Sequence, residues 1–171
     1  MKQEILLVDG YNVIGAWPEL RTLKSDSLAD ARDRLIERMA EYKAHMGWRV
    51  VVIFDAHLMP GIEKKNLKHQ VEVVFTRENE TADERIEKMV AELSGRRVQI
   101  HVATSDLTEQ WVIFAQGALR KSARELEIEM NEIDQIISKK VKVIQEQRPF
   151  SKIQLSDDVA EIFEKWRRGM K

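Results

Sequence analysis

The stretch ILLVDGYN, residues 5–12, decides the fold class of this chain. Its apolar residues are followed at once by Asp9 and other turn-forming residues, which is typical of a short strand buried on both faces of a parallel sheet. Residues 50–54, VVVIF, repeat the pattern and stop at Asp55. Residues 98–106, VQIHVATSD, end in a third aspartate. The sequence therefore predicts three buried strands that each end at a carboxylate.

Amphipathic helical segments separate these strands. Apolar residues recur at helical spacing over residues 27–47, and the capping box TADE, residues 81–84, opens a second helix with one apolar face. Between these helices lie a polar connection, residues 57–68, and an apolar strand, residues 71–75. Strands that alternate with helices through right-handed crossovers predict an α/β fold, with an open, mostly parallel sheet covered by helices on both sides.

The last third of the chain is predicted to be helical. A helical segment over about residues 107–116 follows the strand that ends at the third aspartate. A second capping box, residues 122–125, then opens a long helix, and a last amphipathic helix is predicted over residues 156–168. We predict that residues 1–171 form a single domain. Within it, about residues 119–171 are expected to form a helical extension packed on the sheet.

Composition excludes several functional classes. The absence of cysteine excludes disulfide scaffolds, thiolate metal sites and cysteine nucleophiles. No apolar run reaches the length of a membrane span or a signal peptide, which predicts a cytoplasmic protein without membrane contact. No glycine-rich nucleotide motif occurs, so no organic cofactor is predicted. The 28 basic and 29 acidic residues give a net charge of −1, so RNA binding needs a local patch or a helper. The oligomeric state stays open.

Four acids are predicted to share one crevice. Asp9, Asp55 and Asp106 follow strands whose carboxyl ends meet at one edge, and Asp83 lies in the first turn of a helix that could lean over that edge. Clustered carboxylates repel each other unless a cation neutralises them. Mg²⁺, or Mn²⁺ in its place, prefers oxygen ligands and binds together with phosphate oxygens. The pocket is therefore suited to metal-activated attack of water on a phosphodiester, and Asn12 could position the water or the phosphate.

Each of these residues also has a purely structural explanation. Asp9 and Asp55 could stabilise turns, and Asp106 could cap the helix that follows it. Asp83 could be a favourable negative charge in a first helical turn, and Asn12 could be an ordinary turn residue. A coincidence of all the acids is less expected than any one of these explanations alone.

Several short motifs together resemble one known family. They are LLVDGYN at residues 6–12, FDAH at 54–57, ETADE at 80–84, ATSD at 103–106, GALRKSARE at 117–125 and WRRG at 166–169. With these motifs the chain resembles, over nearly its whole length, the YacP-like NYN-domain family of the PIN-like ribonucleases. The resemblance implies a PIN-like three-layer fold.

The resemblance also implies a function. It implies a divalent-metal-dependent endoribonuclease that leaves a 5′-phosphate and a 3′-hydroxyl, with Ser105 as a supporting group. Its metal-binding and catalytic acids would be Asp9, Asp55, Asp83 and Asp106, with Asn12 beside them. For this branch of the family it further implies mRNA decay on translating ribosomes, so mRNA and the ribosome are the expected partners. The near-neutral net charge independently favours a helper that presents the RNA.

Candidate RNA contacts fall into two basic groups and one aromatic residue. They are Lys64, Lys65 and Lys68 after the second strand, Arg120, Lys121 and Arg124 at the start of the long helix, and Trp17 beside a proline. The cations could hold phosphates, and Trp17 could stack on a base. Solvated surface charge is an equally good explanation for the cations. Tyr11 and Trp48 could also stack on bases, although core packing is favoured for Trp48. Trp111 and Trp166 are assigned to the core.

Two other functional classes compete with a ribonuclease. One is a non-catalytic factor with a PIN-like fold that binds RNA or the ribosome. The other is a phospho-accepting α/β domain, because strand-end aspartates also accept phosphoryl groups. The second is poorly supported, since no Asp-x-Asp-x-Thr run follows the first strand.

Overall fold

The computed structural model describes most of the chain. The described residues are 2–56, 65–68 (backbone only), 70–105, 113, 115–147 and 165–169. The strands are β1 (Gln3–Asp9), β2 (Arg49–Phe54), β3 (Lys65–Lys68), β4 (Val71–Phe75), β5 (Val98–Ala103) and β6 (Leu119–Lys121). The helices are α1 (Gly10–Ala16), α2 (Pro18–Asp26), α3 (Leu28–Met46), α4 (Ala82–Leu93) and α5 (Ala123–Gln147).

The strands form one sheet in the order β3-β4-β2-β1-β5-β6. The five strands from β4 to β6 in this order are parallel, and β3 is antiparallel to β4. The crossover helix α3 connects β1 to β2, and α4 connects β4 to β5. The predicted α/β class, with an open and mostly parallel sheet between helices, is therefore confirmed.

One face of the sheet packs against α4. Because side chains alternate along a strand, every second residue of β1, β2 and β5 contributes to this face. The buried members of this cluster are Ile5, Leu7, Val51, Ile53, Val74, Ile100 and Val102 from the strands, Ala82, Ile86 and Val90 from α4, and Ile113 and Ala118. At about 1.5–3 kcal/mol for each fully buried aliphatic side chain, this layer fixes the position of α4 on the sheet.

Side-chain caps begin three of the helices, at Ser27 and at the two predicted capping boxes. The Ser27 hydroxyl accepts a hydrogen bond from the third residue of α3, and Gly47, with a φ of 72°, caps the C-terminus of this helix. The Thr81 hydroxyl does the same for α4. Before α5, the Ser122 N–H donates to the Glu125 carboxylate at 2.9 Å and the Glu125 N–H donates to the Ser122 hydroxyl at 3.0 Å. These caps satisfy N–H groups that have no partner inside a helix.

Four elements depart from the prediction. Gly10 is predicted to lie in a turn and Trp17 in a polar loop, but Gly10 begins α1 and Trp17 separates it from α2. The predicted polar connection contains β3, and the predicted helical extension contains β6. All four are short, so their sequence periodicity is weak and their hydrogen bonds or packing come from distant parts of the chain. Two helices are predicted over residues 107–116 and 156–168. The larger part of each range lies outside the described residues.

The chain divides into two compact units, Met1–Asn131 and Glu132–Lys171. The first unit includes Leu119–Lys121, which pairs with β5, so it extends beyond residue 119. In the second unit Trp166 is 71% exposed, so its assignment to the core is wrong. The prediction of a single domain stays a prediction. Within the described residues, no helix combines the length and the apolar character that crossing a membrane requires.

Gly10 lies where α1 passes closest to β2. A Cβ atom at this position would lie 2.3 Å from Cε1 of Phe54, and Phe54 is fully buried. The Phe54 ring is also held by Tyr11 at a centroid distance of 5.1 Å and by Phe75 at 5.5 Å. The ring therefore has little room to move, and a glycine is required by packing rather than by a turn.

We expect the substitution Gly10→Ala to destabilise the protein by about 1–3 kcal/mol, because it overpacks the contact with Phe54. Urea unfolding followed by circular dichroism measures this change. The matched control is Gly15→Ala in the same helix, where a Cβ atom meets nothing within 4 Å. This control should raise stability by about 0.5–1 kcal/mol, because alanine favours a helix over glycine. Equal stabilities of the two variants would contradict the packing explanation.

Candidate active site

Two of the predicted acids lie at the carboxyl ends of neighbouring strands. Asp9 is the last residue of β1 and the N-cap of α1, and it pairs in register with Ile53 of β2. Asp55 directly follows β2, two residues beyond Ile53. Both aspartates are partly buried. The parallel register thus places Asp9 and Asp55 at the same edge of the sheet.

The third acid, Asp83, approaches the same edge from α4. Because α4 returns the chain from the end of β4 to the start of β5, its N-terminus lies at the carboxyl edge of the strands. Asp83 is the second residue of this helix and is partly buried. Asp9 follows Leu7 at the strand period, so it lies on the face of β1 that α4 covers. The topology therefore brings Asp9, Asp55 and Asp83 to one edge and one side of the sheet.

The fourth acid, Asp106, lies outside the described residues. Within the part of the chain that the structure describes, no group of three or more His, Asp or Glu side chains is close enough to hold a metal ion. The three described aspartates therefore do not form such a group by themselves. A site shared by all four acids stays a prediction.

Asn12 connects α1 to the segment that follows β5. Its side-chain oxygen accepts a hydrogen bond from the Ser105 N–H at 2.8 Å. On the other side of this segment, the N–H of the buried Thr104 donates to the Lys121 carbonyl at 3.1 Å. The end of β5 is thus held from two sides, directly before Asp106 in the sequence. The observed contact of Asn12 is a structural one at the predicted site.

Thr76 holds the other strand end and was not among the predicted site residues. Its N–H donates to the Phe54 carbonyl at 3.0 Å, and its hydroxyl accepts from the Ala56 N–H at 2.9 Å. Thr76 is fully buried, and its two hydrogen bonds flank Asp55. A signal for this role exists in the sequence, because a polar residue directly follows the apolar strand 71–75, as the aspartates follow theirs.

Glu80 is a second site-adjacent residue that the sequence reasoning missed. Its side chain is only 6% exposed and accepts hydrogen bonds from Arg85 at 2.7 Å and Lys88 at 2.8 Å. Burial by itself raises the pKa of this carboxyl, but the hydrogen bonds from Lys88 and Arg85 outweigh burial and lower the pKa below its ordinary value. The carboxylate is thus ionised and fastens the first turns of α4, which carry Asp83.

The predicted RNA contact of Trp17 is wrong, and Lys121 is paired within the protein. Trp17 is 2% exposed, and its indole N–H donates to the Ala123 carbonyl at 2.7 Å, so the ring is part of the core and cannot stack on a base. The Lys121 side chain is 13% exposed and forms an ion pair with Glu129. Its ammonium also lies 5.5 Å from the ring centroid of Trp48. The positive charge of Lys121 therefore interacts with Glu129 and with the Trp48 ring inside the protein.

The other candidate RNA contacts remain predictions. Arg120 is partly buried, and its Nε–H donates to the Thr104 carbonyl at 3.2 Å, which places it at the carboxyl edge of β5. Arg124 is exposed in the first turn of α5. Lys65 and Lys68 lie in β3, where only the backbone is described, and Lys64 lies outside the described residues.

We expect Glu80→Gln to lower stability at neutral pH by roughly 1–3 kcal/mol, because it leaves Arg85 and Lys88 without their ionised partner. Folding lowers the pKa of Glu80, so the carboxylate stabilises the fold above its ordinary pKa of 4.5. This contribution is lost as the pH falls through the lowered folded value. Urea unfolding from pH 3 to pH 7 should therefore show that wild type and variant converge in acid.

Glu84→Gln is the matched control, because Glu84 is an exposed carboxylate in the first turn of the same helix. Its loss should cost no more than about 0.3–1 kcal/mol. A Glu80→Gln penalty that is as small as the control, or that does not change with pH, would contradict the role of Glu80.

Comparison with known proteins agrees with this architecture. The model of the YacP-like NYN domain family matches residues 6–168. The chain is 60% identical over 166 residues to the YacP protein of Bacillus subtilis (strain 168), covering 97% of this chain and 98% of that protein.

Solved structures agree as well. The crystal structure of Rae1 (YacP) from Bacillus subtilis superposes with a TM-score of 0.76 at 61% identity, covering 96% of this chain and 95% of that one. A crystal structure of a single-residue variant of Rae1 gives a TM-score of 0.76 at 56% identity, with 96% of each chain covered. NYN domains are PIN-like, which supports a nuclease-like role. The chain therefore belongs to the YacP-like NYN domain family.

Proposed function

We propose that this protein is a divalent-metal-dependent endoribonuclease that cleaves mRNA, with the translating ribosome presenting the RNA. The observation that carries the proposal is the placement of Asp9, Asp55 and Asp83 at one edge and one side of the parallel sheet. Ligands of open α/β sheets bind at this edge. Membership of the NYN domain family supports a nuclease-like role for the same edge.

The side chains at this edge fit a hard divalent cation. Asp9, Asp55 and Asp83 offer partly buried carboxylate oxygens, which are the ligands that Mg²⁺ and Mn²⁺ prefer. We propose that these three residues, together with Asp106, hold the ion. A bound ion would polarise the phosphoryl oxygen and lower the pKa of the attacking water.

The chain itself would orient the substrate and the water. The Asn12 side-chain oxygen is bound to the Ser105 N–H, which fixes the direction of its amide nitrogen and leaves two donors on that atom. The guanidinium of Arg120 is oriented by the Thr104 carbonyl and carries further N–H donors that can contact a phosphate. The carboxylates would accept hydrogen bonds from the attacking water. The products would carry a 5′-phosphate and a 3′-hydroxyl.

A presenting partner is proposed because the chain has little net charge for holding RNA. Its formal net charge is −1, and Lys121, which was expected to contact RNA, forms an ion pair with Glu129. Phosphate binding depends on basic side chains that can release counterions from the nucleic acid. Exposed cations such as Arg124 would then contribute locally, while the ribosome would supply the orientation and the high local concentration of mRNA.

We expect Asp83→Asn to reduce RNA cleavage by roughly 100-fold while the protein stays folded, because one metal-binding carboxylate is lost. The assay incubates purified protein with free and ribosome-bound mRNA, with Mg²⁺, with Mn²⁺ and with a chelator. The control is Glu92→Gln, an exposed acid at the opposite end of the same helix, which should cleave as the wild type does. Cleavage that survives the chelator, or that is unchanged in Asp83→Asn, would refute the proposed mechanism.

The second candidate function is a non-catalytic factor that binds RNA or the ribosome. It is favoured by one observation, namely that Asp9, Asp55 and Asp83 do not by themselves form a group able to hold a metal ion. The same assay separates the two candidates. A wild-type protein that sediments with ribosomes but cleaves no mRNA under any metal condition would favour the binding factor.

A further inference from the structure

Thr76 ends the pairing of β2 with β4 in an unusual way. The two strands are paired in parallel up to Phe54 and Phe75, and the Thr76 N–H continues this ladder to the Phe54 carbonyl at 3.0 Å. In a regular parallel ladder the next hydrogen bond would run from the Ala56 N–H to the main-chain carbonyl of Thr76. Here the Ala56 N–H donates to the Thr76 hydroxyl at 2.9 Å instead.

Because the Thr76 hydroxyl replaces the Thr76 carbonyl as the acceptor, the chain can leave the sheet after Thr76 while the backbone around Asp55 stays hydrogen-bonded. The chain can leave β4 after Thr76 and turn towards α4, since the carbonyl of Thr76 is not needed for the ladder. The backbone on both sides of Asp55 nevertheless stays bonded as if the sheet continued, through Phe54 on one side and Ala56 on the other. With both neighbouring peptide groups fixed, the direction of the Cα–Cβ bond of Asp55 is fixed as well.

Burial makes this hydroxyl hard to replace. Thr76 is fully buried, and Ala56 is 2% exposed. A buried N–H group that loses its acceptor cannot turn to solvent without a shift of the backbone, and an unsatisfied buried donor destabilises the conformation that contains it. The easiest response is a movement of the segment that carries Asp55. A valine at position 76 has the shape of threonine but offers no acceptor.

We infer that Thr76 is a positioning residue for Asp55, which it holds in the place required for metal binding. This inference rests on the proposed function, in which Asp55 is one of the metal-binding carboxylates. The loss of a group that orients a metal ligand without touching the metal typically lowers metal affinity or activity by about 10–100-fold. Thr76 touches neither metal nor substrate in this proposal and acts through the main chain next to Asp55.

The test compares the variants Thr76→Val and Thr76→Ser in the full-length protein. Mn²⁺ binding is measured by electron paramagnetic resonance of the free ion, without RNA. We expect the valine variant to bind Mn²⁺ about tenfold more weakly and the serine variant to bind like the wild type, because only serine retains the hydroxyl. RNA cleavage should follow the same order. Thr76→Ala removes the same hydroxyl with a smaller side chain and replaces the valine variant if that protein does not fold.

A general loss of stability is excluded by the control Val71→Ala. Val71 is fully buried at the opposite end of β4, so its truncation should lower stability while Mn²⁺ affinity stays at the wild-type value. Urea unfolding of each variant provides the comparison. If the hydroxyl-free variants at position 76 bind Mn²⁺ as tightly as the wild type, or no more weakly than Val71→Ala at equal stability, the positioning role is wrong.

Asp55→Asn separates this failure from a failure of the proposed function. Tight Mn²⁺ binding by the wild type that Asp55→Asn abolishes, combined with unchanged binding in Thr76→Val, would overturn the role of Thr76 alone. A wild-type protein that binds no Mn²⁺, with no change in Asp55→Asn, would overturn the proposed metal site and the positioning role together.

Discussion

The parallel pairing of β1 with β2 on one side and with β5 on the other is the constraint on which the rest of the structure depends. Each of these strands buries apolar side chains on the face that α4 covers, and β5 carries the polar Gln99 and His101 on its other face. A slip by one residue would exchange the two faces. The core therefore fixes the register. With the register fixed, Asp9, Asp55 and the residues after β5 must lie at the same edge.

Where the chain leaves the sheet, the main-chain hydrogen bonds between the strands stop, and an N–H group at the end of a strand loses its main-chain acceptor. At two of these ends a polar side chain supplies the missing acceptor, since Asn12 accepts from the Ser105 N–H and Thr76 accepts from the Ala56 N–H. The Ala56 N–H is buried, where a donor without an acceptor is costly, and the bond from Ser105 to Asn12 fastens the exposed end of β5. The backbone on both sides of Asp55 is thus hydrogen-bonded.

Several charged groups near the candidate site form ion pairs within the protein. Glu80 is buried between Arg85 and Lys88 beneath the first turns of α4, and Lys121 is held by Glu129 beside the ring of Trp48. Paired cations contribute little to the attraction of a polyanion. The proposed ribonuclease would therefore depend on geometry rather than on bulk charge to meet its substrate, in line with the proposal that the ribosome presents the mRNA.

The sequence by itself determined the buried strands, the capped helices and the places of Asp9, Asp55 and Asp83, because apolar runs, helical periodicity and capping boxes are local patterns. Only the tertiary structure decided which polar groups form hydrogen bonds inside the protein and are therefore not available to a ligand. The indole of Trp17 meets the Ala123 carbonyl more than a hundred residues away, and the Thr76 hydroxyl meets the backbone beside Asp55 from a different strand. Such contacts leave no periodic trace in the sequence, since they depend on how distant elements pack and not on the neighbours of each residue.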